Sequence, residues 1–185
     1  MKVIETELPG VLIIEPKVFG DARGCFYETF HAERYAQYGM KLDFVQDNYS
    51  RSSKGVLRGL HYQLEHTQGK LVWITQGKIF DVVVDIRHRS PTFGKWIGFT
   101  LDANEPRQIY IPPGFAHGFC TLTDQVDFFY KCTDFYYPAA EKGIYWNDPD
   151  LNIPWPIKNP TVSPKDAVYP NLKDVPIKEL LSYDE

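Results

Sequence analysis

A mainly β protein, either a β-sandwich or a jelly-roll barrel, is the fold this sequence predicts, on three observations. From residue 56 to about residue 132, short apolar and aromatic runs follow one another at roughly 8–12-residue spacing, the rhythm of a sandwich or barrel. Turn residues close the runs, at Gln76-Gly77, at 102–106 and at Pro112-Pro113-Gly114. Aromatic residues make up 15% of the chain, and aromatic rings favour pleated strands.

Taken in order, residues 11–14 form a short apolar strand ended by Pro16, and 19–24 a turn-rich loop. A strand resumes over 25–30. Residues 31–38 are the one early helix, stopped by Gly39 as a helix C-terminal glycine stops one. Residues 44–50 make a polar strand whose plainest reading is a solvated edge. Strands then follow over 71–75, 79–86, 95–101, 108–111, 115–122 and 126–132. Over 79–86 the pattern alternates, with Phe80, Val82, Val84 and Ile86 on one face and Asp81 and Asp85 on the other. Beyond Pro138 proline becomes frequent, which predicts a wrapping tail of turns and short helices. Ser163 and Pro164 stand as N-cap and first residue of one such helix. We therefore expect a single domain, 1–185: an N-terminal region to residue 50, a β core over 51–135 and the tail over 136–185.

Net charge is −4, whereas nucleic acid and membrane surfaces call for a basic face. Local arginines can still hold a nucleotide-sized ligand. Cys25, Cys120 and Cys132 are widely spaced, without a CxxC, which fits reduced thiols in a cytoplasm better than a disulfide framework or a zinc site. The sequence has no basic-then-apolar leader and no window of transmembrane length, so a cytoplasmic location is expected. Asn48-Tyr49-Ser50 matches a glycosylation sequon, read here as chance. No GxGxxG or phosphate-binding loop occurs.

The chemistry concentrates in Val56-Leu57-Arg58-Gly59-Leu60-His61-Tyr62-Gln63 and the following Gly69-Lys70. Arg58, His61 and Lys70 sit on segments that otherwise read as buried strand, and burying charge is costly unless something pairs with it. An anionic substrate held against a histidine base accounts for the set. Arg58 and His61 are three positions apart, so a regular strand turns them to opposite faces. Both reach one cavity only if Gly59 bends or bulges the strand. Tyr130 shares the inward face with Val126, Phe128 and Cys132, where a buried hydroxyl is either structural or an acid aimed inward. Asp166 follows Lys165 in the tail, where a first-turn carboxylate favoured by the helix dipole explains it equally well.

Two motifs resemble the cupin-type jelly-roll barrel. Gly55 is followed after five residues by His61, and Pro112-Pro113-Gly114-Phe115-Ala116-His117 matches the second cupin signature. Gln63 stands where the second metal-binding histidine belongs. A two-histidine, one-carboxylate iron site from His61, Glu65 and His117 stays open, but an amide replaces a ligating imidazole poorly, and a metal-free cupin is favoured.

Eight blocks together resemble the dTDP-4-dehydrorhamnose 3,5-epimerase family: the segments 15–24, 44–48, 56–61, 69–72, 81–87, 90–94, 111–119 and Trp146-Asn147-Asp148. The resemblance runs from about residue 10 to about residue 170 and implies a cofactor-free, metal-free homodimer acting on a dTDP-sugar. By that resemblance His61 is the general base paired with Asp166, Tyr130 the general acid, and Lys70 the group that stabilises an enolate. Arg23, Glu28, Gln46, Asp47, Asn48, Arg58, His117, Glu141 and Lys165 match the family's substrate-binding stretches. Arg23 and Glu28 would serve the neighbouring subunit.

Overall fold

The computed structural model describes residues 1–40 and 43–183. In chain order the strands are β1 Lys2–Glu5, β2 Leu12–Glu15, β3 Phe19–Asp21, β4 Gly24–Phe26, β5 Gln46–Ser53, β6 Leu57–Gln63 and β7 Lys70–Gln76. They continue as β8 Lys78–Asp85, β9 Trp96–Asp102, β10 Gln108–Ile111, β11 Phe115–Thr121, β12 Gln125–Cys132 and β13 Glu141–Gly143. The helix α1 spans Ala32–Ala36. One sheet runs β1-β2-β10-β7-β12-β5 and the other β13-β6-β11-β8-β9, while β3 and β4 form a separate hairpin. The two large sheets give the expected cupin-type jelly roll.

The sheets share one core. Val72 and Ile74 of β7 and Val126 and Phe128 of β12 pack with Ile79 and Val83 of β8 and Phe115 and Phe119 of β11. Each outer face is covered too. Against the five-stranded sheet, Val82, Val84, Ile86 and Ala116 meet Leu151, Ile153, Leu172, Val175 and Leu180 of the proline-rich tail. Against the six-stranded sheet, Leu12, Ile14, Leu71, Trp73 and Tyr110 meet Tyr35 of α1 and Met40. Each such aliphatic side chain contributes about 1.5–3 kcal/mol when fully buried. Burial on both faces is why β8 reads Val82-Val83-Val84 rather than alternating cleanly. It also puts Asp81 and Asp85 on the inward face, each fully buried.

Three local expectations are corrected. The helix over 31–38 shortens to α1, because only Tyr35 anchors it and His31 makes no side-chain cap. Residues 37–39 close it as a turn, ending at Gly39 with φ +89. The strand over 25–30 keeps only β4, since the β3–β4 hairpin leaves both sheets, and Phe30 instead packs edge-on against Tyr35 and Phe44. At Ser163 a single turn forms instead of a helix: the Asp166 N–H donates to Ser163 Oγ at 3.2 Å, and the Ala167 N–H to the Ser163 carbonyl at 3.1 Å. The next residue, Val168, is 78% exposed, so the turn has no apolar face to extend. Among the described residues no helix is long and apolar enough to cross a membrane.

Candidate active site

A cavity of about 650 Å³ opens between the sheets, walled by β5, β6, β7, β11, β12 and tail residues 161–166. The β6 wall is built by an irregularity. His61 pairs with His117 and Arg58 with Phe119, so three steps along β6 match two along β11. The extra residue is a β-bulge, and one residue of slip turns a side chain to the other face. That is how Arg58 and His61 both come to line the cavity. Gly59 has φ +130, and a Cβ there would lie 2.5 Å from Gly118 Cα. The two glycines let the backbones touch.

The tail supplies the partner for His61. Thr161 runs parallel to the start of β6, donating its N–H to the Gly55 carbonyl at 2.7 Å and accepting from Leu57 N–H at 2.9 Å. The turn that follows delivers Asp166, which is 2% exposed. Its Oδ1 meets His61 Nε2 at 2.7 Å, and its Oδ2 accepts from the Gly59 N–H at 3.3 Å. Burial works to raise the Asp166 carboxyl, but the bonds from His61, Gly59 and Ser163 together hold it below the usual carboxylate range. An ionised carboxylate on Nε2 leaves Nδ1 as the ring's basic nitrogen.

Tyr130 stands on the other sheet, on the inward face of β12 as its alternation with Val126 and Phe128 predicted. Burial, reinforced by Cys132, pushes its phenol up to about 12, so it stays protonated at neutral pH. Lys70 of β7, the cross-strand partner of Cys132, reaches the same cavity. Desolvation lowers its ammonium from the ordinary value, against the pull of Cys132, Glu141 and Asp81. The Arg58 guanidinium donates to Ser52 Oγ at 3.2 Å and has no carboxylate partner among the described residues. His117 Nε2 lies 2.8 Å from Asp81 Oδ2. Lys165 Nζ lies 2.5 Å from Glu141 Oε1, whose other oxygen accepts from Tyr136 Oη at 2.9 Å. Gln46 and Asn48 face inward from β5, joined at 2.9 Å.

Three expected binding residues are not on this wall. Asp47 alternates outward between Gln46 and Asn48 and pairs with Lys131 at 2.8 Å. Arg23 sits on the exposed hairpin, 2.6 Å from Asp21, and Glu28 pairs with Arg34. The iron arrangement also fails to assemble: Glu65 is exposed and off the cavity, while His61 and His117 each give Nε2 to an aspartate. Among the described residues no group of three or more His, Cys, Asp or Glu converges as metal ligands. Sequence reasoning missed Tyr136, Gln68 and Ser50, which line the cavity, and Tyr169, whose ring centroid lies 5.9 Å from that of His61. The aromatic run Phe135-Tyr136-Tyr137 was the one visible sign of the first.

A carboxylate-backed imidazole thus faces a protonated phenol across the sandwich, with an ammonium and a guanidinium beside them. That set can remove a proton from one side of an anionic ligand, stabilise the charge left behind and return a proton from the other.

Comparison with known proteins gives a consistent result. The family model described as dTDP-4-dehydrorhamnose 3,5-epimerase matches residues 5–174. The chain is 58% identical over 168 residues to the dTDP-4-dehydrorhamnose 3,5-epimerase of Shigella flexneri, covering 90% of this chain and 93% of that protein. It superimposes with a TM-score of 0.97 and 51% identity on a dTDP-6-deoxy-D-glucose-3,5-epimerase of Legionella pneumophila in complex with dTDP-4-keto-L-rhamnose, covering 100% of this chain and 99% of that one. A 3'-monoepimerase of Streptomyces bikiniensis in complex with dTDP-quinovose is 35% identical at a TM-score of 0.90, over 96% of this chain and 92% of that one.

The bulge gives a direct test. Gly59→Ala adds a methyl group against Gly118 at a backbone angle that L-residues resist, so we expect at least about 2 kcal/mol of destabilisation. Urea unfolding measures it, and a wild-type midpoint would mean that the glycine contact carries no constraint.

Proposed function

The chain belongs to the dTDP-4-dehydrorhamnose 3,5-epimerase family, and from that premise we infer that it inverts C3 and C5 of dTDP-4-dehydro-6-deoxy-D-glucose to give dTDP-4-dehydro-L-rhamnose. The C4 ketone makes the hydrogens on both neighbouring carbons acidic, because either carbanion delocalises into the carbonyl as an enolate. His61 removes the proton. Asp166 fixes the ring and stabilises the imidazolium that forms. Lys70 stands beside O4, where negative charge develops only on the way to the enolate. Removing one such donor costs about 3–4 kcal/mol of transition-state stabilisation in comparable oxyanion sites. Tyr130 returns a proton from the opposite face, which inverts the carbon. Each round replaces one C–H bond by another, so electrons balance without an oxidant.

The observation that carries this reading is the pairing of a His61–Asp166 dyad on one sheet with a protonated Tyr130 on the other, across a single cavity. The diphosphate takes Arg58 and Lys165, since a guanidinium and an ammonium match its charges. Gln46, Asn48, His117 and Glu141 contact the rest of the dTDP-sugar.

Arg23 and Glu28 serve a second copy of the chain in a homodimer. What supports this is the β3–β4 hairpin itself: Phe19 and Phe26 are 53% and 70% exposed, and Arg23 points at no part of its own cavity. Three free cysteines fit a cytoplasmic location.

In heavy water, wild-type protein with the thymidine-diphosphate ketosugar takes up solvent deuterium at C3 and C5. Label at C3 alone would make it a 3-epimerase, and none at either carbon would remove the reading. His61→Asn abolishes exchange at both positions while nucleotide affinity stays within a few-fold; continued exchange would take the base role from His61. Tyr130→Phe spares proton abstraction and slows product formation by about 100-fold or more. Product at the wild-type rate would make the hydroxyl structural. Mixing Arg23→Ala with His61→Asn restores activity through hybrid dimers that hold one intact site. Simple dilution of the two activities would put Arg23 outside the partner's site.

A further inference from the structure

Beyond β12 the segment 134–137 leaves its aromatic side chains roughly half exposed. Phe135, Tyr136 and Tyr137 are 55%, 47% and 41% exposed, so apolar burial does not hold it in place. Side-chain amides do. Gln63, the last residue of β6, is 4% exposed and uses its amide three times. Its Nε2 donates to the carbonyls of His66 at 2.7 Å and Phe135 at 3.1 Å, and its Oε1 accepts from the Tyr137 N–H at 2.9 Å. Gln68 adds a bond to the Asp134 carbonyl at 2.9 Å, and Gln46 Oε1 accepts from the Tyr136 N–H at 2.9 Å. The His66 ring stacks on Tyr137 with centroids 3.8 Å apart.

The consequence lies one residue away. Held at both neighbours, Tyr136 lines the cavity and its hydroxyl reaches Glu141, which is itself the cross-strand partner of Gln63. Gln63 thus ties together the end of β6, the loop after it and the cavity's aromatic rim. The two N–H donors and one carbonyl acceptor of a side-chain amide match the set. A neutral imidazole offers one donor and one acceptor, whereas this position uses two donations and one acceptance. Where metal-binding cupins carry a histidine ligand, the chain has an amide whose bonds are all made to backbone.

We propose that Gln63 is a positioning residue for ligand binding: its amide pre-orders segment 134–137, so that Tyr136 and Glu141 stand on the cavity wall before the nucleotide-sugar arrives. The proposal rests on the dTDP-sugar reading of the cavity. Without the clamp the segment samples other arrangements, and apparent affinity falls by the fraction of time spent in the competent one.

The test is Gln63→Leu, similar in volume but unable to bond. Amide hydrogen exchange over 134–137 should quicken about tenfold, and calorimetry should show thymidine diphosphate binding about tenfold more weakly. KM for the ketosugar should rise by a similar factor with kcat within about twofold, since His61, Asp166, Lys70 and Tyr130 are untouched. Gln63→Met, close to glutamine in length but unable to donate to either carbonyl, should behave as Gln63→Leu does and is the variant to measure if Gln63→Leu does not fold. Unchanged exchange over 134–137, unchanged affinity, or a fall in kcat at constant KM would each overturn the proposal. Wild-type protein that binds thymidine diphosphate but never turns over the ketosugar would end the epimerase reading and leave the role of Gln63 standing.

Discussion

The contact on which the site depends is backbone against backbone, where Gly59 of β6 meets Gly118 of β11. Two strands that touch this closely leave room for an extra residue on one of them, and the extra residue reverses the facing of everything beyond it. Arg58 and His61, which a regular strand would separate, then share a cavity. The same irregularity frees the Gly59 N–H to reach Asp166, so the carboxylate that orients the histidine is also anchored by the strand that carries it. Strand geometry and histidine chemistry are one feature here.

Around that feature the protein keeps opposite protonation demands apart. The proposed base, His61, needs a carboxylate that stays ionised, and Asp166 is held so by three donors despite its burial. The proposed acid needs a phenol that stays protonated, and Tyr130 is held so by burial itself. Placing the two on different sheets lets each have its own environment across the width of one cavity. Lys70, on the same sheet as Tyr130, has Cys132, Glu141 and Asp81 nearby, which only partly oppose the lowering by desolvation. The sandwich is a scaffold for two local dielectric settings as much as a container.

The proline-rich tail takes part in both structure and site. Its apolar residues cover the outer face of the five-stranded sheet, and its 161–166 stretch runs along β6 to deliver Asp166 and Lys165. The N-terminal hairpin is the converse case. It contributes nothing to its own cavity and leaves phenylalanines exposed to water.

Much of this was legible in the chain alone. Strand spacing gave the sandwich, alternation put Tyr130 inward, and the odd spacing of Arg58 and His61 allowed them to share a cavity only through a bend or bulge at Gly59. Local pattern failed where the deciding contact is remote. Nothing within reach of Ser163 says that its turn stops after one round, or that Asp166 lies against a histidine 105 positions earlier. Asp47 and Gln46 are adjacent letters, yet only the edge-strand facing decides which one sees the cavity. Gln63 looked like a missing ligand, and only the backbone groups gathered around it from two other loops show an amide in full use. The sequence by itself determined the period, the turns and the residue types, because those depend on near neighbours. Which distant groups meet was decided by tertiary structure, because burial and hydrogen-bond satisfaction are settled only when separate segments close on one another.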